Sequence, residues 1–365
     1  MKQINSPEQQ KTNIMERRNF LRNIGAGGLA LSLSSFISHN EIPDTSIEGD
    51  LIIPNRLKQG DTIGIVSPSS AIFETEPYEI AVETFEAMGL KVKLGKYVNN
   101  RYGHLAGTDE ERAGELNEMF KDPGIHAIIA LRGGSGAARI LDKIDYEAIA
   151  KNPKIFIGYS DITALHMAIY TKTGLLTFHA PLAVSTWNNF SYPLFRKIIF
   201  NGEKALFKNP VDKGSNLTVT KNRIRTISPG LATGELLGGN LSVLTGIMGS
   251  QYFPQQWENK ILYLEDVGEP IYAVDRMMSQ LQLGGVLNKI SGFVFGKCSD
   301  CKPGNGYGSL TLEEVVDYYI KPLGIPAYSG AMIGHIDDNS TIPNGLKVQL
   351  NADKGTLQML SPAVK

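Results

Sequence analysis

Between residues 61 and 179, short apolar runs alternate with stretches whose apolar residues recur at helical spacing. The runs Ile125–Leu131 and Lys154–Gly158 are apolar almost throughout, which is typical of parallel strands buried on both faces. Glu76–Met88 carries apolar residues three and four positions apart, and Thr108–Glu111 is a capping box that opens a further helix. This alternation predicts a doubly wound α/β domain with a parallel sheet.

The rest of the chain predicts a connecting segment and a second domain. Residues 181–229 are rich in Asn, Lys and Thr and contain interior prolines, so we expect them to connect two domains and to have little core of their own. From residue 230 onward strands and helices resume, and they end in a hairpin. The predicted fold class is α/β, with an N-terminal doubly wound, flavodoxin-like parallel-sheet domain at 51–180 and a smaller C-terminal α/β domain at 230–365.

Residues 1–45 differ from the rest of the chain. Arg17 and Arg18 precede an apolar run at 24–37 that is rich in Gly, Ala, Leu and Ser. This arrangement is typical of a twin-arginine export signal, so we expect the protein in the periplasm. The run is shorter than the roughly 20 residues that a membrane-spanning helix needs. It also has no charged face, which disfavours the alternative of an amphipathic helix in the folded domain.

Composition adds two restrictions. The 365 residues include 36 basic and 37 acidic side chains, and loss of residues 1–45, with five basic and four acidic residues, changes the formal charge from −1 to −2. No nucleic-acid partner is expected for so neutral a chain. The two cysteines, Cys298 and Cys301, cannot form a four-ligand zinc site alone, and no metal is expected. We interpret them as structural or incidental thiols, which an oxidising compartment could join in a disulfide, and not as a redox motif.

Ser160 is the candidate nucleophile. The apolar strand Lys154–Gly158 runs into a tight turn with Ser160 at its apex, and a helix is expected from Asp161 onward. This is the setting of a nucleophile elbow, in which the hydroxyl points at backbone amides of a helix N-terminus. Ile162 stands where the Gly-x-Ser-x-Gly signature has its second glycine. The alternative is that Ser160 or Asp161 only caps the helix.

A glycine-rich loop follows the preceding strand. Its residues, Arg132–Gly136, lack the Lys-Ser/Thr pair of a phosphate-binding P-loop. Loops after neighbouring parallel strands meet at one edge of the sheet, so an amide of Gly133 or Gly134 could face the Ser160 hydroxyl as an oxyanion donor. A plain glycine-rich turn is the alternative.

A nucleophilic serine needs a base and an acid that orients it. Of the six histidines, His179 and His335 remain as candidates, and His335 lies in a loop where it has no reason to pack in a core. Glu265 closes an apolar strand and is the candidate acid, while Asp266 and Glu269 compete with it. Spacing alone leaves the three acids open.

Five blocks of sequence, in order along the chain, resemble the LD-carboxypeptidase family, which includes muramoyl-tetrapeptide carboxypeptidases and microcin-C-immunity peptidases. The blocks are Arg132–Gly134, Gly158–Thr163, Gly238–Leu241, Leu264–Glu269 with Arg276 following, and Gly334-His335. The resemblance runs from about Leu57 to the C-terminus and implies a triad of Ser160, Glu265 and His335. It also implies that the serine comes from the N-terminal domain and the other two from the C-terminal one, with the active site between them.

The same resemblance implies further roles. The oxyanion donors would be the amide of Asp161 and a glycine, Gly133 or Gly134. Because a carboxypeptidase must also bind the free carboxylate of its substrate, we name Arg132 and Arg276 as candidates for that contact, and the alternative is that each forms a structural ion pair. The implied function is a serine carboxypeptidase without a cofactor that hydrolyses an L,D peptide bond and releases terminal D-Ala from murein tetrapeptides. The alternatives are a peptidase that cleaves a peptidyl-nucleotide antibiotic and a catalytically inactive muropeptide-binding protein.

The expected partners are a small peptide or muropeptide substrate, the twin-arginine export machinery and, in a homodimer, a second copy of the chain. Members of the family are commonly cytoplasmic, so the export signal is the main departure of this sequence from the family pattern.

Overall fold

The computed structural model describes residues 51–304 and 308–365. The predicted export signal at 1–45 lies outside these ranges. Within these two ranges, none of the helices combines the length and the hydrophobicity that a membrane span requires.

The first sheet has six strands in the order β12-β5-β4-β3-β1-β2. Its strands are β1 (Thr62–Val66), β2 (Lys91–Leu94), β3 (Ala127–Ala130), β4 (Ile155–Gly158), β5 (Thr177–His179) and β12 (Ile342–Asn344). The first five strands are parallel, and their order 2-1-3-4-5 is the order of flavodoxin-like folds, as predicted for this domain. Strand β12 joins from the C-terminal part of the chain and runs antiparallel to β5.

The helices of this half connect its strands. They are α1 (Glu76–Ala87), α2 (Asp109–Lys121), α3 (Tyr146–Lys151) and α4 (Thr163–Thr173). The capping box before α2 is present, because the Thr108 hydroxyl accepts from the Glu111 amide at 3.2 Å and the Glu111 carboxylate accepts from the Thr108 amide at 2.8 Å. Both bonds satisfy amides that the first helical turn would otherwise leave unpaired.

The second sheet has eight strands in the order β6-β14-β13-β8-β9-β10-β11-β7. Its strands are β6 (Leu206–Phe207), β7 (Arg225–Ser228), β8 (Leu231–Asn240), β9 (Lys260–Val267), β10 (Gly292–Ser299), β11 (Ala327–Ser329), β13 (Lys347–Asn351) and β14 (Thr356–Met359). Strands β8 to β11 are parallel, while the outer ones pair antiparallel. The helices that accompany it are α6 (Leu241–Gly246), α7 (Ile271–Leu283) and α8 (Leu312–Ile320). The predicted C-terminal hairpin is confirmed as β13–β14.

Residues 181–229 do more than connect the two halves. They form the short helix α5 (Ser191–Phe195), a π-helical turn (Arg196–Phe200) and the edge strands β6 and β7 of the second sheet. Phe195, Ile198 and Ile199 are fully buried among residues of both halves. The eight strands of the second sheet therefore include two that the connecting segment supplies.

The two halves share packed hydrophobic clusters. One cluster contains Phe156 and Ile169 from the first half together with Leu244 and Leu264 from the second. Helix α4 packs against β8 and α6. The carboxyl end of β4, where Ser160 follows, is thereby brought against the carboxyl ends of β8 and β9.

Candidate active site

Ser160 occupies a strained turn directly after β4. Its φ is +64°, a left-handed conformation that a non-glycine residue rarely adopts and that is typical of a nucleophile elbow. Ile162 packs so closely on Gly158 that a Cβ atom there would lie 2.9 Å from the isoleucine side chain. The first glycine of the signature, Gly158, is thus required here, although Ile162 replaces the second one.

The capping alternative does not describe this turn. The side chain of Asp161 accepts hydrogen bonds from the Ser69 hydroxyl and, at 2.8 Å, from the Ala137 amide, and neither Ser160 nor Asp161 caps α4 with its side chain. Asp161 therefore fastens the serine turn to two neighbouring loops at the same edge of the sheet, while the Ser160 hydroxyl remains directed elsewhere.

His335 connects Ser160 to Glu265. Its Nε2 lies 3.0 Å from Ser160 Oγ, and its Nδ1 lies 2.8 Å from Glu265 Oε2. Because the carboxylate accepts from Nδ1–H, the other ring nitrogen is free to accept the serine proton. The histidine side chain is 20% exposed and the glutamate is fully buried, so burial strengthens their interaction while the imidazole stays accessible.

Glu265 is held from its other side by Asn240, the last residue of β8. The Asn240 amide donates to Glu265 Oε1 at 3.2 Å and to Asp266 Oδ1 at 3.0 Å. Asn240 also caps α6 by accepting from the Val243 amide. A Cβ on Gly334, whose φ is +130°, would lie 2.9 Å from Glu265 Oε2, so only glycine lets the His335 loop approach this carboxylate.

The competing acids contact other groups. Asp266, the next residue of β9, accepts from Asn240 and from the amides of Ser242 and Val267, and burial, helped by the neighbouring Glu265 charge, raises its pKa to about 6. Glu269 is partly exposed, and within 51–304 and 308–365 it makes no hydrogen bond or ion pair with the histidine. Glu265 is the acid that contacts His335.

His179, the other candidate base, lies behind the site. It is fully buried, and burial lowers its pKa well below the usual value. The Tyr159 ring lies between the two histidines, with centroid distances of 5.6 Å to His179 and 4.8 Å to His335. His179 therefore supports Tyr159, which packs against the edge of the His335 ring.

The glycine-rich loop lies against Ser160. A Cβ on Gly133 would lie 2.8 Å from Ser160 Cβ and 3.0 Å from Ser160 Oγ, whereas a Cβ on Gly134 would meet the side chain of Ser70. The backbone amides of Gly133 and Asp161 have no hydrogen-bond acceptor in the described part of the chain. Of the two glycines, Gly133 is the one placed beside the hydroxyl.

The two arginines occupy different surroundings. Arg132 directly precedes Gly133 and donates to the carbonyl of Ala71 at 3.2 Å. Arg276 is on the exposed side of α7, with its guanidinium 5.5 Å from the ring centroid of Tyr272, and the structure does not bring it to the triad through any described contact. No group of three or more His, Cys, Asp or Glu side chains suited to a metal occurs among the residues that the structure describes.

Sequence reasoning assigned no role to Asn240, Ser69 or Tyr159. Asn240 had a detectable signal, because it ends a strand next to the strand of Glu265 and so lies at the same edge of the sheet. Ser69 had a similar signal, because it follows β1 and so lies at the same edge of the first sheet as Asp161. Tyr159 gave no such signal, since its contact with His335 depends on the packing of the two halves.

Two parts of the chain match known protein families. Residues 63–180 match the LD-carboxypeptidase N-terminal domain, and residues 233–350 match the LD-carboxypeptidase C-terminal domain. The chain belongs to the LD-carboxypeptidase family. This membership agrees with the family resemblance of the five sequence blocks and places the protein among the peptidases.

Relatives of this chain include proteins with different names. A probable murein peptide carboxypeptidase of Bacillus subtilis is 39% identical and covers 83% of this chain and 92% of its own length. The microcin C7 self-immunity protein MccF of Escherichia coli is 31% identical and covers 86% of this chain and 97% of its own length.

Solved structures show the same two-domain architecture. MccF in complex with glutamyl sulfamoyl guanosine superimposes with a TM-score of 0.78 at 30% identity, over 87% of this chain and all of that one. A muramoyltetrapeptide carboxypeptidase from Oxalobacter formigenes superimposes with a TM-score of 0.68 at 27% identity, over 82% of this chain and 97% of that one.

Proposed function

We propose that this member of the LD-carboxypeptidase family is a serine hydrolase that cleaves an L,D peptide bond and releases terminal D-Ala from murein tetrapeptides. The observation that carries the proposal is the line of contacts from Ser160 through His335 to Glu265, with distances of 3.0 and 2.8 Å. The name of the Bacillus subtilis relative, a probable murein peptide carboxypeptidase, supports the substrate class.

In the proposed mechanism, the Ser160 hydroxyl attacks the carbonyl of the penultimate residue while His335 Nε2 accepts its proton. Glu265 stabilises the imidazolium and holds Nδ1 as the donor. His335 then gives the proton to the departing D-Ala amine, and water hydrolyses the acyl-enzyme by the same route. The free amides of Gly133 and Asp161 stabilise the tetrahedral oxyanion, and loss of one such donor costs roughly 100- to 1,000-fold in rate.

A carboxypeptidase must also bind the free carboxylate of its substrate. Arg132 is the better placed of the two candidate arginines, because it adjoins Gly133 at the serine. A guanidinium can bind a carboxylate through two parallel hydrogen bonds. Arg276 would serve only a longer substrate that extends across the exposed side of α7.

A peptidyl-nucleotide substrate is the second candidate. It is favoured by the structural likeness to MccF, whose TM-score of 0.78 exceeds the 0.68 for the muramoyltetrapeptide carboxypeptidase. Both substrates should therefore be assayed side by side, with mass spectrometry of murein peptides and of an aminoacyl sulfamoyl nucleoside before and after incubation.

The export proposal depends on the sequence of residues 1–45 alone. We propose that the twin-arginine pair Arg17 and Arg18 directs the protein to the periplasm. Fractionation of cells tests it: the protein should be found in the periplasmic fraction, and replacement of both arginines by lysine should retain it in spheroplasts. Full-length wild-type protein confined to the cytoplasm would refute export.

The nucleophile is tested with Ser160→Ala and, as a matched control, Ser215→Ala in an exposed loop. The Ser160 variant should fold normally, release no D-Ala and resist labelling by a fluorophosphonate probe, while the control variant should behave as wild type. Turnover by Ser160→Ala at the wild-type rate would exclude the mechanism. A wild-type protein that binds muropeptide, cleaves neither substrate and is not labelled would instead be a binding protein.

A further inference from the structure

The two cysteines form a small ring at the end of β10. Cys298 and Cys301 are joined in a disulfide, and the Cys301 amide donates to the Cys298 carbonyl at 3.3 Å. Asp300, inside the ring, has a φ of +56°, which is unusual for a residue with a side chain. Both cysteines are partly exposed, so a soluble reductant can reach them.

The ring contains a residue that contacts the loop that carries His335. Ser299 Oγ donates to the backbone carbonyl of His335 at 2.8 Å. No other donor to this carbonyl occurs among residues 51–304 and 308–365. The Ser299 hydroxyl therefore anchors the backbone that carries the candidate base.

The ring is also fixed to the strand that carries Glu265. Cys298 pairs with Asp266 and Ser299 with Val267 in the parallel ladder between β9 and β10. The Ser299 carbonyl accepts from the Gly268 amide at 2.8 Å. The ring therefore contacts both the strand that carries Glu265 and the loop that carries His335, although none of its residues belongs to the triad.

We propose that Ser299 is a positioning residue for His335 and that the Cys298–Cys301 disulfide holds Ser299 in place, so that the redox state of the ring regulates the active site. The inference rests on the proposed function in assigning His335 as the base. The His335 ring must keep its Nε2 3.0 Å from Ser160 Oγ, and it can do so only if its own backbone is fixed.

The redox step is an ordinary thiol–disulfide exchange. A dithiol reductant supplies two electrons and two protons, the Cys298–Cys301 bond breaks to give two thiols, and the dithiol becomes a disulfide. In the oxidising compartment that the export signal predicts, the closed ring is the resident form. Opening the ring frees the turn, and the bond from Ser299 to His335 is then formed for less of the time.

The expected effect is on turnover rather than on binding. Loss of one neutral hydrogen bond that positions a base should lower kcat by about three- to tenfold and leave KM within about twofold. Ser299→Ala should show this loss in the oxidised protein, and Ser299→Thr, which retains the hydroxyl, should recover most of it. Cys298→Ser/Cys301→Ser should match the reduced wild type and should not respond to the reductant.

The experiment measures kcat, KM and the rate of fluorophosphonate labelling of Ser160 with and without dithiothreitol. Mass spectrometry counts the free thiols, and circular dichroism checks the fold. The labelling rate reports on the nucleophile independently of the peptide substrate.

Unchanged kcat and an unchanged labelling rate in wild-type protein with two free thiols would overturn the redox regulation. Because this test uses only the wild-type protein, it does not depend on whether a variant folds. Wild-type kcat in folded Ser299→Ala would overturn the positioning role. Failure of the proposed function is a different result: neither peptide is cleaved, or Ser160→Ala retains turnover, whatever the state of the cysteines.

Discussion

A methyl group added at Gly133 should disable the nucleophile without removing any amide. Its Cβ would lie 2.8 Å from Ser160 Cβ and 3.0 Å from Ser160 Oγ, whereas carbon atoms normally meet at about 3.5–4.0 Å. Either the serine or the loop must therefore move by about 0.5–1 Å. A shift of this size breaks the 3.0 Å contact with His335, and misplacement by about 1 Å can cost roughly 100-fold in rate.

We accordingly expect Gly133→Ala to lower kcat by about 100-fold and to cost about 1–3 kcal/mol in the free energy of unfolding. D-Ala release, fluorophosphonate labelling and urea unfolding measure these quantities. Gly114→Ala is the matched control, because this glycine lies inside α2 with no atom within 4 Å of the added Cβ. The control should keep wild-type kcat and gain about 0.5–1 kcal/mol.

The reasoning is refuted if folded Gly133→Ala turns over substrate and is labelled within about threefold of wild type. The loop would then not lie against Ser160, and its amide could not reach the oxyanion.

Two further predictions concern buried groups. Glu265→Gln should lower kcat by about 1,000-fold or more, because the new amide opposes the Nδ1–H of His335. The control Glu269→Gln should keep the wild-type kcat. Equal kcat for both Gln variants would exclude Glu265 as the orienting acid. His166 is fully buried, donates from Nε2 to the Gly158 carbonyl, and has a pKa that burial lowers from 6.5 to about 4. As the pH falls, His166 is therefore protonated in the unfolded chain before it is protonated in the folded protein. The stability that neutral His166 contributes above pH 6.5 is lost as the pH falls towards 4. Between pH 7 and pH 5 the free energy of unfolding should fall by about 2 kcal/mol. Urea unfolding at both pH values should show that the free energy of unfolding of His166→Gln falls by about 2 kcal/mol less than that of wild type between pH 7 and pH 5. The same fall in the variant and in wild type would contradict the prediction.

Local pattern determined the elements that carry the site. The apolar run before Ser160 becomes β4, because a strand buried on both faces needs no alternation. Thr108 and Glu111 cap α2 through bonds only three residues apart, which the sequence encodes directly. The five blocks in family order indicated the membership that the two domain matches show. The catalytic roles of Ser160, Glu265 and His335 remain predictions for the variants above to test.

Other features depended on which segments the fold brings together. Glu265 and Asp266 are adjacent in one strand, and successive strand side chains point to opposite faces, so only the packing around β9 decides which of them faces His335. The choice of Gly133 over Gly134 likewise depends on the position of a loop relative to a strained serine. The cysteine pair showed no relation to the site in the sequence, because the link through Ser299 exists only where β10 ends beside the His335 loop.

The sequence by itself therefore determined the α/β class, the alternation of strands and helices in the N-terminal half and the chemical types of the candidate residues, because periodicity, capping and turn chemistry act over a few neighbouring positions. Tertiary structure alone decided the partners within the site. Ser160 and His335 are 175 residues apart, and their 3.0 Å contact depends on the packing of two sheets through a shared core.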